Sequence, residues 1–340
     1  MIKIKKLLKI KSPQIISELG INHEGNLNLA KRMVNLIHKN GGLIVKNQSH
    51  DLKGEMSNHA KKIKPSNANK SIYSVIKQNY MKFDDEIKLK EYVEKKKMLY
   101  ISTPFSIDSA IKLNELNVKI FKIGSGEFNN IPLIEKIAKF KKPMILSTGM
   151  NDLKSIKETV LVLKKNKVHF SLLHCVSEYP AQYRNLKLDF INTLKKNFDK
   201  ITIGYSDHSN SIFPCIIAMA KGAEIIEKHF TDTKKRKGPD IICSMDPEEL
   251  KSLILASKIN FEAKGFNKKI TKKELITAKF AFSSVVAVKK IKKGEKLNNE
   301  NIWVKRPGNG DFLAKNYKKL LNKKVKTNIK LGSQISKKHI

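Results

Sequence analysis

Residues 224–246 read EIIEKHFTDTKKRKGPDIICSMD, and the rest of the chain can be interpreted from this stretch. Its first seven residues form a run typical of a buried strand, which places His229 at the carboxyl end of that strand. The charged loop that follows carries Asp232, Arg236 and Asp240. The stretch therefore predicts a strand that delivers a histidine into a polar loop.

The same arrangement, a short apolar run that ends in polar residues, occurs seven times upstream. The runs are QIISELGIN, LIVKNQS, LYISTPF, IFKIGSG, PMILSTG, FSLLHCV and ITIGYSD, and helix-length segments separate them. Near-continuous apolar strands that alternate with helices are typical of a parallel α/β sheet covered on both faces. Eight such units in about 260 residues predict a (β/α)8 TIM barrel, whose active site lies at the carboxyl ends of the strands.

The chain divides into a barrel domain, residues 1–265, and a C-terminal domain, residues 283–340, with a linker at residues 266–282. The C-terminal part reads as short strands and turns, so a small β-rich domain is expected. Two of its segments, IKKGEKLNNENI and IKLGSQISKKHI, align with Gly294 and Gly332 in register. This echo suggests two similar turn-and-strand units, in a domain too small to be very stable unless it packs on something.

The formal net charge of +37 comes almost entirely from lysine. Of the 68 basic residues, only Arg32, Arg184, Arg236 and Arg306 are arginines. Clustered charge on one face is the footprint of nucleic-acid binding, but here the lysines are spread through nearly every helix. We therefore expect no nucleic-acid partner. Each arginine marks a candidate position for a planar, two-pronged donor that lysine cannot replace.

Targeting and redox signals are weak. The chain has no apolar run near the length of about 18 residues that a membrane span needs. Its start, MIKIKKLLKIKSPQ, is basic but lacks the apolar region of a signal peptide. The cysteines Cys175, Cys215 and Cys243 give no disulfide framework. A cytoplasmic, reduced protein without a membrane partner is expected.

Polar residues close every predicted strand. In chain order they are Glu18, Lys46 with Gln48, Thr103, Lys122 with Ser125 and Glu127, Ser147 with Thr148, His174 with Ser177 and Tyr179, Ser206 with Asp207 and His208, and His229. A single serine or threonine after a strand is more often turn chemistry. Their joint occurrence over eight strands indicates a catalytic face.

Two lysines in this set, Lys46 and Lys122, have hydroxyl residues around them and indicate a cationic pocket for a small, phosphorylated dianion. A Schiff-base lysine is an alternative for either, and so is an ion pair with Glu18 or Glu127.

Two histidines, His208 and His229, lie on adjacent strands and are candidate ligands of a divalent metal with open coordination positions. His174, one strand back and embedded in LLHCV, is expected to be structural.

A series of motifs, in order from about residue 15 to the C-terminus, resembles the N-acetylneuraminate (sialic acid) synthase family. The motifs are ELGINHEG, STPFS, FKIGSGEFNN, STGMN, LLHCVSEYP, SDHS, EKHFTD with GPDIICSMD, FAFSSVVA and WVKRPGNGDF. The resemblance implies a TIM barrel followed by an antifreeze-like SAF domain, in a domain-swapped homodimer whose small domain covers the partner's barrel. It also implies condensation of phosphoenolpyruvate with N-acetylmannosamine and water to N-acetylneuraminate and phosphate, with Mn²⁺ or Mg²⁺.

The resemblance assigns roles by motif. The phosphoenolpyruvate site comprises Lys46, Thr103, Lys122, Ser125, Ser147, Ser177 and Ser206. The metal ligands are His208 and His229. Glu18 is the expected general base for the addition of water. Gln48, Tyr179 and Asp240 line the sugar site, with Glu127 as a second catalytic carboxylate there. Arg306 reaches the N-acetyl end of the sugar from the partner subunit.

Two motifs depart from the family pattern. HCVSEYP places Ser177 and Glu178 where relatives often carry Asn and an apolar residue, so a carboxylate is expected near an anionic ligand. KNQSH replaces the commoner KHQTH.

Three functions follow from these features. The loops RKGPDIICSMD and WVKRPGNGDF favour N-acetylmannosamine as the sugar. The alternatives are a legionaminic or pseudaminic acid synthase using a diacetamido-trideoxy hexose and, remotely, a non-catalytic basic binding protein.

Overall fold

The computed structural model describes residues 11–65 and 68–340, so most of the basic N-terminal segment quoted above lies outside the described residues. Eight parallel strands within these ranges pair in chain order, and the last pairs with the first to close a barrel. They are β1 (Gln14–Glu18), β2 (Ile44–Ser49), β3 (Leu99–Pro104), β4 (Phe121–Ile123), β5 (Met144–Ser147), β6 (Phe170–Cys175), β7 (Thr202–Asp207) and β8 (Ile225–His229). The predicted (β/α)8 barrel is confirmed.

Helices connect the strands and cover the outside of the barrel. They are α1 (Leu27–Lys39), α2 (Leu52–Glu55), α3 (Ile72–Asn79), α4 (Phe83–Lys95), α5 (Ile107–Glu115), α6 (Ile131–Ala138), α7 (Leu153–Lys165), α8 (Phe190–Asn197), α9 (Phe213–Ala220) and α10 (Pro247–Glu262). Among the helices of residues 11–65 and 68–340, none combines the length and the apolar composition that crossing a bilayer requires.

Helix α1 shows how the sequence sets these elements. It begins because the side chain of Asn26 accepts hydrogen bonds from the first free backbone N–H groups, those of Asn28 and Leu29. Its buried residues are Ala30, Met33, Val34 and Ile37, which have the three-and-four spacing of one helical face. It ends just before Gly41, whose φ of 86° is one that glycine adopts without strain. The apolar face thereby packs on the strands.

The barrel interior begins with an aliphatic layer near the amino-terminal ends of the strands. Its members are Ile16, Ile44, Ile101, Ile120, Ile145, Leu173 and Ile225, all buried and in mutual contact. β7 contributes Gly204 at this level, where an added Cβ would lie 2.5 Å from Leu173 Cδ2. Because side chains two residues apart share one face of a strand, the next inward residues lie one level closer to the carboxyl ends.

The C-terminal unit, Gly265–Ile340, is separate from the unit that ends at Lys264. It contains α11 (Lys272–Ala281), β9 (Ser284–Ala287), β10 (Ile302–Lys305) and α12 (Tyr317–Leu320), and β9 pairs antiparallel with β10. Much of the segment interpreted as a linker is therefore helical. The side chains of Thr271 and Glu274 form a reciprocal capping box at the start of α11.

The sequence echo corresponds to a repeated backbone geometry in this unit. Ile291 and Ile329, which align in the two segments, pair with each other through two backbone hydrogen bonds of 3.0 and 2.8 Å. Gly294 and Gly332 have similar positive φ angles of 87° and 79°. The small core includes both isoleucines, so the two turn-and-strand units pack against each other.

Candidate active site

Directly above the aliphatic layer lies a charged layer, formed by Glu18, Lys46, Lys122 and Glu227. All four side chains are buried. Lys46 Nζ forms an ion pair with the Glu18 carboxylate, and Glu227 Oε1 lies 3.9 Å from Lys46 Nζ and 3.4 Å from Lys122 Nζ. The ion pair considered as an alternative for Lys46 is thus present. Lys122 pairs with Glu227, a residue that the strand-end pattern did not single out.

The two carboxylates of the charged layer have opposite pKa shifts. Burial raises the pKa of Glu18, and this effect outweighs the attraction of Lys46. Burial also acts on Glu227, but the nearby Lys122 and Lys46 ammonium groups hold its pKa below the ordinary value. Carboxylates whose environments push their pKa values apart are suited to different acid–base roles. The lysines favour the ionised form of Glu227, whereas burial makes Glu18 better able to take up a proton.

The two lysines also differ. Burial lowers the pKa of Lys122 despite the attraction of Glu227. For Lys46, burial is outweighed by the two carboxylates Glu18 and Glu227, which raise its pKa above the ordinary value. Lys46 is therefore the more firmly charged of the two ammonium groups.

A cavity of about 680 Å³ opens above the charged layer at the carboxyl ends of the strands. It brings together most of the residues predicted from the sequence. Those that line it are Lys46, Gln48, Thr103, Lys122, Ser125, Ser147, Ser177, Tyr179, Ser206, His208, His229 and Asp240. Glu227 lines it as well, whereas Glu18 lies next to Lys46 and is not part of the lining.

Hydroxyl groups surround the two lysines at the bottom of this cavity. Lys122 Nζ donates to Ser147 Oγ at 2.7 Å, and Lys46 Nζ donates to Thr103 Oγ1 at 3.3 Å. Ser177 Oγ is buried and has no hydrogen-bond partner within the described residues. Ammonium groups and a free hydroxyl donor together can hold a small anion through charge-assisted hydrogen bonds.

Glycine at position 149 gives the serine hydroxyls room. A Cβ added to Gly149 would lie 2.7 Å from Ser125 Oγ and would also collide with Ser177 Oγ. The Gly149 backbone N–H donates to Ser125 Oγ at 3.1 Å, which fixes that hydroxyl.

The two candidate metal ligands face each other at one side of the cavity. The rings of His208 and His229 have centroids 5.5 Å apart. His208 Nδ1 donates to the Val176 carbonyl at 2.8 Å, which assigns its hydrogen to Nδ1 and leaves Nε2 as a lone-pair donor. His229 Nδ1 is buried, makes no hydrogen bond within the described residues and lies 3.7 Å from Asp240 Oδ2.

Burial and the neighbouring His208 lower the pKa of His229 well below its ordinary value. Burial raises the pKa of Asp240 to about 6. Within residues 11–65 and 68–340, no three His, Cys, Asp or Glu side chains come close enough to form a metal site by themselves. Burial acts to lower the pKa of His208, but Cys175 and the Val176 carbonyl raise it above the ordinary value. A metal would compete with a proton for the ring nitrogen of His208, and it could complete its coordination with substrate or water.

Other predicted residues lie outside the cavity lining, among them Thr148 and Asp207 of the strand-end set. Glu127 follows β4 and accepts a hydrogen bond from Asn130 Nδ2 at 2.6 Å. His174 hydrogen-bonds through Nε2 to the Leu186 carbonyl at 2.6 Å and contacts Phe190, as expected of a structural histidine. Arg306 belongs to the C-terminal unit, where it is exposed and follows β10. For Glu127 and Arg306 the assigned roles remain predictions.

Glu178, the unexpected carboxylate, does not face the cavity. It is exposed, and both of its oxygens accept from Asn185 Nδ2 at 3.0 Å. The expected conflict between this carboxylate and an anionic ligand is therefore absent from the geometry of the cavity.

One cavity wall is apolar and was not predicted. It is formed by Ile21 together with Ile72, Val75 and Ile76 of α3, and Phe105 and Met150 also line the cavity. The helical signal was present in the sequence SIYSVIKQN, but its position beside the cavity depends on the path of the chain between β2 and α4.

Known proteins resemble this chain along nearly its whole length. A model of the NeuB family matches residues 33–269, and a model of the SAF domain matches residues 282–340. The N,N'-diacetyllegionaminic acid synthase of Campylobacter jejuni is 40% identical over 329 residues, covering 94% of this chain and 98% of the relative. The N-acetylneuraminate-9-phosphate synthase of Homo sapiens is 33% identical over 296 residues, covering 86% and 82%.

A solved structure agrees with these matches. The N-acetylneuraminic acid (sialic acid) synthetase of Leptospira borgpetersenii, crystallised with citrate, has 34% identity and a TM-score of 0.71, over 78% of this chain and 90% of that one. With a family model that spans most of the barrel and relatives that cover nearly all of both chains, the protein belongs to the NeuB family and carries a SAF domain at its C-terminal end.

Proposed function

We propose that this protein is a transferase that condenses phosphoenolpyruvate with the aldehyde form of an N-acylated hexose and water, releasing inorganic phosphate. The observation that carries the proposal is one cavity in which two buried lysines and a set of hydroxyls lie beside an imidazole pair. Its membership of the NeuB family, whose members are phosphoenolpyruvate-utilising synthases, supports the same reaction. A non-catalytic binding protein would have no use for this combination.

The lysines and hydroxyls would hold phosphoenolpyruvate. Lys46 and Lys122 supply positive charge for its phosphate and carboxylate, and Ser177 supplies a hydroxyl donor that has no other partner. Both ammonium groups are already oriented, Lys46 by Glu18 and Lys122 by Ser147. Little reorganisation is then needed when the anion binds.

His208 and His229 would hold a divalent metal, Mn²⁺ or Mg²⁺. When bound, the metal supplies a Lewis acid that polarises the aldehyde oxygen of the hexose. The protein contributes the orientation of the ligands, because the Val176 carbonyl fixes the ring of His208. Asp240, next to His229, would contact the hexose.

In the proposed reaction, the methylene carbon of phosphoenolpyruvate attacks the aldehyde carbon, and water adds to the former enol carbon. The carbon–oxygen bond to phosphate then breaks, phosphate leaves with the bonding electrons, and the hydroxyl that came from water loses its proton and becomes the keto oxygen. The former aldehyde oxygen takes up a proton and becomes a hydroxyl group. Glu18 is proposed to take the proton of the water, since burial raises its pKa. Glu227 would stay ionised and keep Lys122 and Ser206 in place.

The sequence motifs favoured N-acetylmannosamine, but the hexose we now propose is the alternative, a 2,4-diacetamido-trideoxy hexose, which would make the product a legionaminic-type acid. The 40% identity to the Campylobacter jejuni enzyme supports this choice. So does the wall of Ile21, Val75 and Ile76, because a deoxy sugar with two acetyl groups has more apolar surface to bury. N-acetylmannosamine is the second candidate, supported by the Leptospira borgpetersenii synthetase.

The reaction is tested by phosphate release from phosphoenolpyruvate. Release should require both a hexose and a divalent metal, stop with EDTA and resume when Mn²⁺ or Mg²⁺ is added. A higher kcat/KM with the diacetamido hexose than with N-acetylmannosamine would support the favoured sugar, and the reverse ranking would assign the second. Phosphate release that is independent of any hexose would contradict the proposed reaction.

We propose in addition that the protein acts as a homodimer in which Arg306 serves the partner's cavity. The test mixes two inactive variants, Arg306→Ala and Glu18→Ala, and isolates the heterodimer. If Arg306 acts in trans, one of the two sites in the heterodimer is intact, and about half of the wild-type activity should return. A verified heterodimer without activity would refute this arrangement.

A further inference from the structure

The side chain of Gln48 contacts His50, and His50 in turn contacts Glu55 and Phe105. We call His50, Glu55 and Phe105 the amide clamp. Gln48 lies near the end of β2 and lines the cavity. After β2 the chain turns back, and α2 brings Glu55 beside His50. His50 Nε2 lies 3.1 Å from Gln48 Oε1, and His50 Nδ1 lies 3.1 and 3.0 Å from the two oxygens of Glu55.

The clamp leaves the imidazole ring of His50 little freedom. Phe105, directly after β3, stacks on the ring with 4.4 Å between centroids and 7° between planes, which fixes the plane of the ring. Glu55 fixes rotation within that plane. The side chains of His50 and Glu55 are only 4% and 5% exposed, so water competes little for these contacts.

A clamped glutamine presents one defined edge to a ligand. Its amide has a donor end and an acceptor end, and His50 occupies one of them. The other end is left for the cavity in a fixed orientation. Ordering this long side chain before the ligand arrives removes an entropic cost that binding would otherwise bear.

We propose that Glu55 and His50 are positioning residues for the hexose, which act by orienting the Gln48 amide. This inference rests on the proposed function, and it extends the sugar site to two residues that do not line the cavity. Gln48 and His50 are positions that KNQSH shares with the commoner KHQTH, so the departures at Asn47 and Ser49 leave this contact in place.

The test measures the KM for each substrate in His50→Asn and Glu55→Gln proteins. His50→Asn removes the imidazole that contacts Gln48, and Glu55→Gln removes the charged partner of that imidazole. Each change should raise the KM for the hexose about tenfold. The KM for phosphoenolpyruvate should stay within about twofold, since Lys46 and Lys122 are unaffected. His59→Asn is the matched control: His59 is exposed and lies nine residues further on, so neither KM should change.

A double-mutant cycle separates positioning from a general loss of structure. With Gln48 already replaced by alanine, the amide is gone, and His50→Asn should raise the hexose KM no further. If His50→Asn lowers the thermal midpoint too far for assay, Glu55→Asp, which keeps the carboxylate, should show a smaller rise in hexose KM than Glu55→Gln.

The outcomes distinguish this inference from the proposed function. If the wild-type protein turns over, two results for the His50→Asn and Glu55→Gln variants would overturn the clamp alone. One is an unchanged KM for the hexose, and the other is an equal rise in the KM values for the hexose and for phosphoenolpyruvate. Absence of hexose-dependent phosphate release by the wild-type protein would overturn the proposed function and the clamp with it.

Discussion

Replacing Lys228 with methionine is expected to destabilise the barrel by about 3–5 kcal/mol, the usual cost of leaving one partner of a buried ion pair without the other. Lys228 of β8 and Asp207 of β7 are register partners. Their side chains point away from the barrel interior, since the flanking residue Glu227 points into it. Lys228 Nζ lies 2.5 Å from Asp207 Oδ2 and 2.8 Å from the Ser209 carbonyl oxygen.

The magnitude follows from burial. The side chains of Lys228 and Asp207 are 1% and 0% exposed. In the methionine variant the Asp207 carboxylate would keep its hydrogen bonds from the hydroxyls of Tyr205 and Ser209, but it would lose its only ammonium partner among the described residues. A buried charge without a countercharge is therefore the main cost.

The chain offers a matched control in Lys221→Met. Lys221 Nζ is also 2.5 Å from an aspartate oxygen, that of Asp189, but the two side chains are 31% and 85% exposed. An exposed pair contributes about 0–1 kcal/mol, because solvent screens it. The two substitutions thus differ in burial and share the same change of side chain.

The assay is equilibrium unfolding in urea, followed by far-UV circular dichroism. The single tryptophan, Trp303, lies in the C-terminal unit, so its fluorescence follows that unit separately. A free-energy loss for Lys228→Met no larger than for Lys221→Met would refute the reasoning. So would a double variant Lys228→Met, Asp207→Leu that is less stable than Lys228→Met alone, because removal of the orphaned charge should restore stability.

Three further predictions concern other groups. Glu227→Gln should lower kcat/KM at least about tenfold, because Lys46 and Lys122 lose the carboxylate they share; an unchanged kcat/KM would show that this carboxylate is dispensable. Glu178→Ala should leave the KM for phosphoenolpyruvate within about twofold, since this side chain is exposed and bonded to Asn185; a large change would place Glu178 at the cavity. Burial alone would raise the pKa of Asp207, but Lys228 holds it below the ordinary value. The contribution of the ionised Asp207 to the free energy of unfolding is therefore complete above the unfolded-state pKa of about 4, and it is lost as pH falls through the folded-state pKa. The difference in unfolding free energy between wild type and Asp207→Asn should therefore be constant from about pH 7 to pH 5 and shrink below about pH 4, and a difference that grows on acidification would contradict this.

The barrel could be predicted because each strand carries its own signal. An apolar run such as LIVKNQS has the length of a buried strand, and its last polar residues lie at the carboxyl end whatever the neighbouring strands do. Lys46, Gln48, His208 and His229 line the cavity for this reason.

Pairings between strands could not be predicted in the same way. Glu227 was missed as the partner of Lys122, although it lies two residues before His229 and therefore on the same face of β8. Period-two counting back from each strand end would have found it. The amide clamp was beyond such counting, because the approach of Glu55 to His50 depends on how the loop after β2 turns.

The start of helix α11 could have been predicted from the sequence, because the residues that cap it form a known pattern. Thr271, with Glu274 three residues later, has the pattern of a capping box and precedes ELITAKFA. The residues described as a linker were interpreted from their polar composition alone, and composition does not reveal a helix of ten residues.

The aliphatic layer has a consequence for solvent. Its seven packed side chains fill the barrel below Glu18, Lys46, Lys122 and Glu227, so water reaches these charges from the cavity side. A ligand that fills the cavity would exclude water from these side chains, and their charges would then interact in a medium of lower dielectric constant. The occupied site should thus exchange protons with bulk solvent more slowly than the empty one, and the reacting water should be one that is already enclosed.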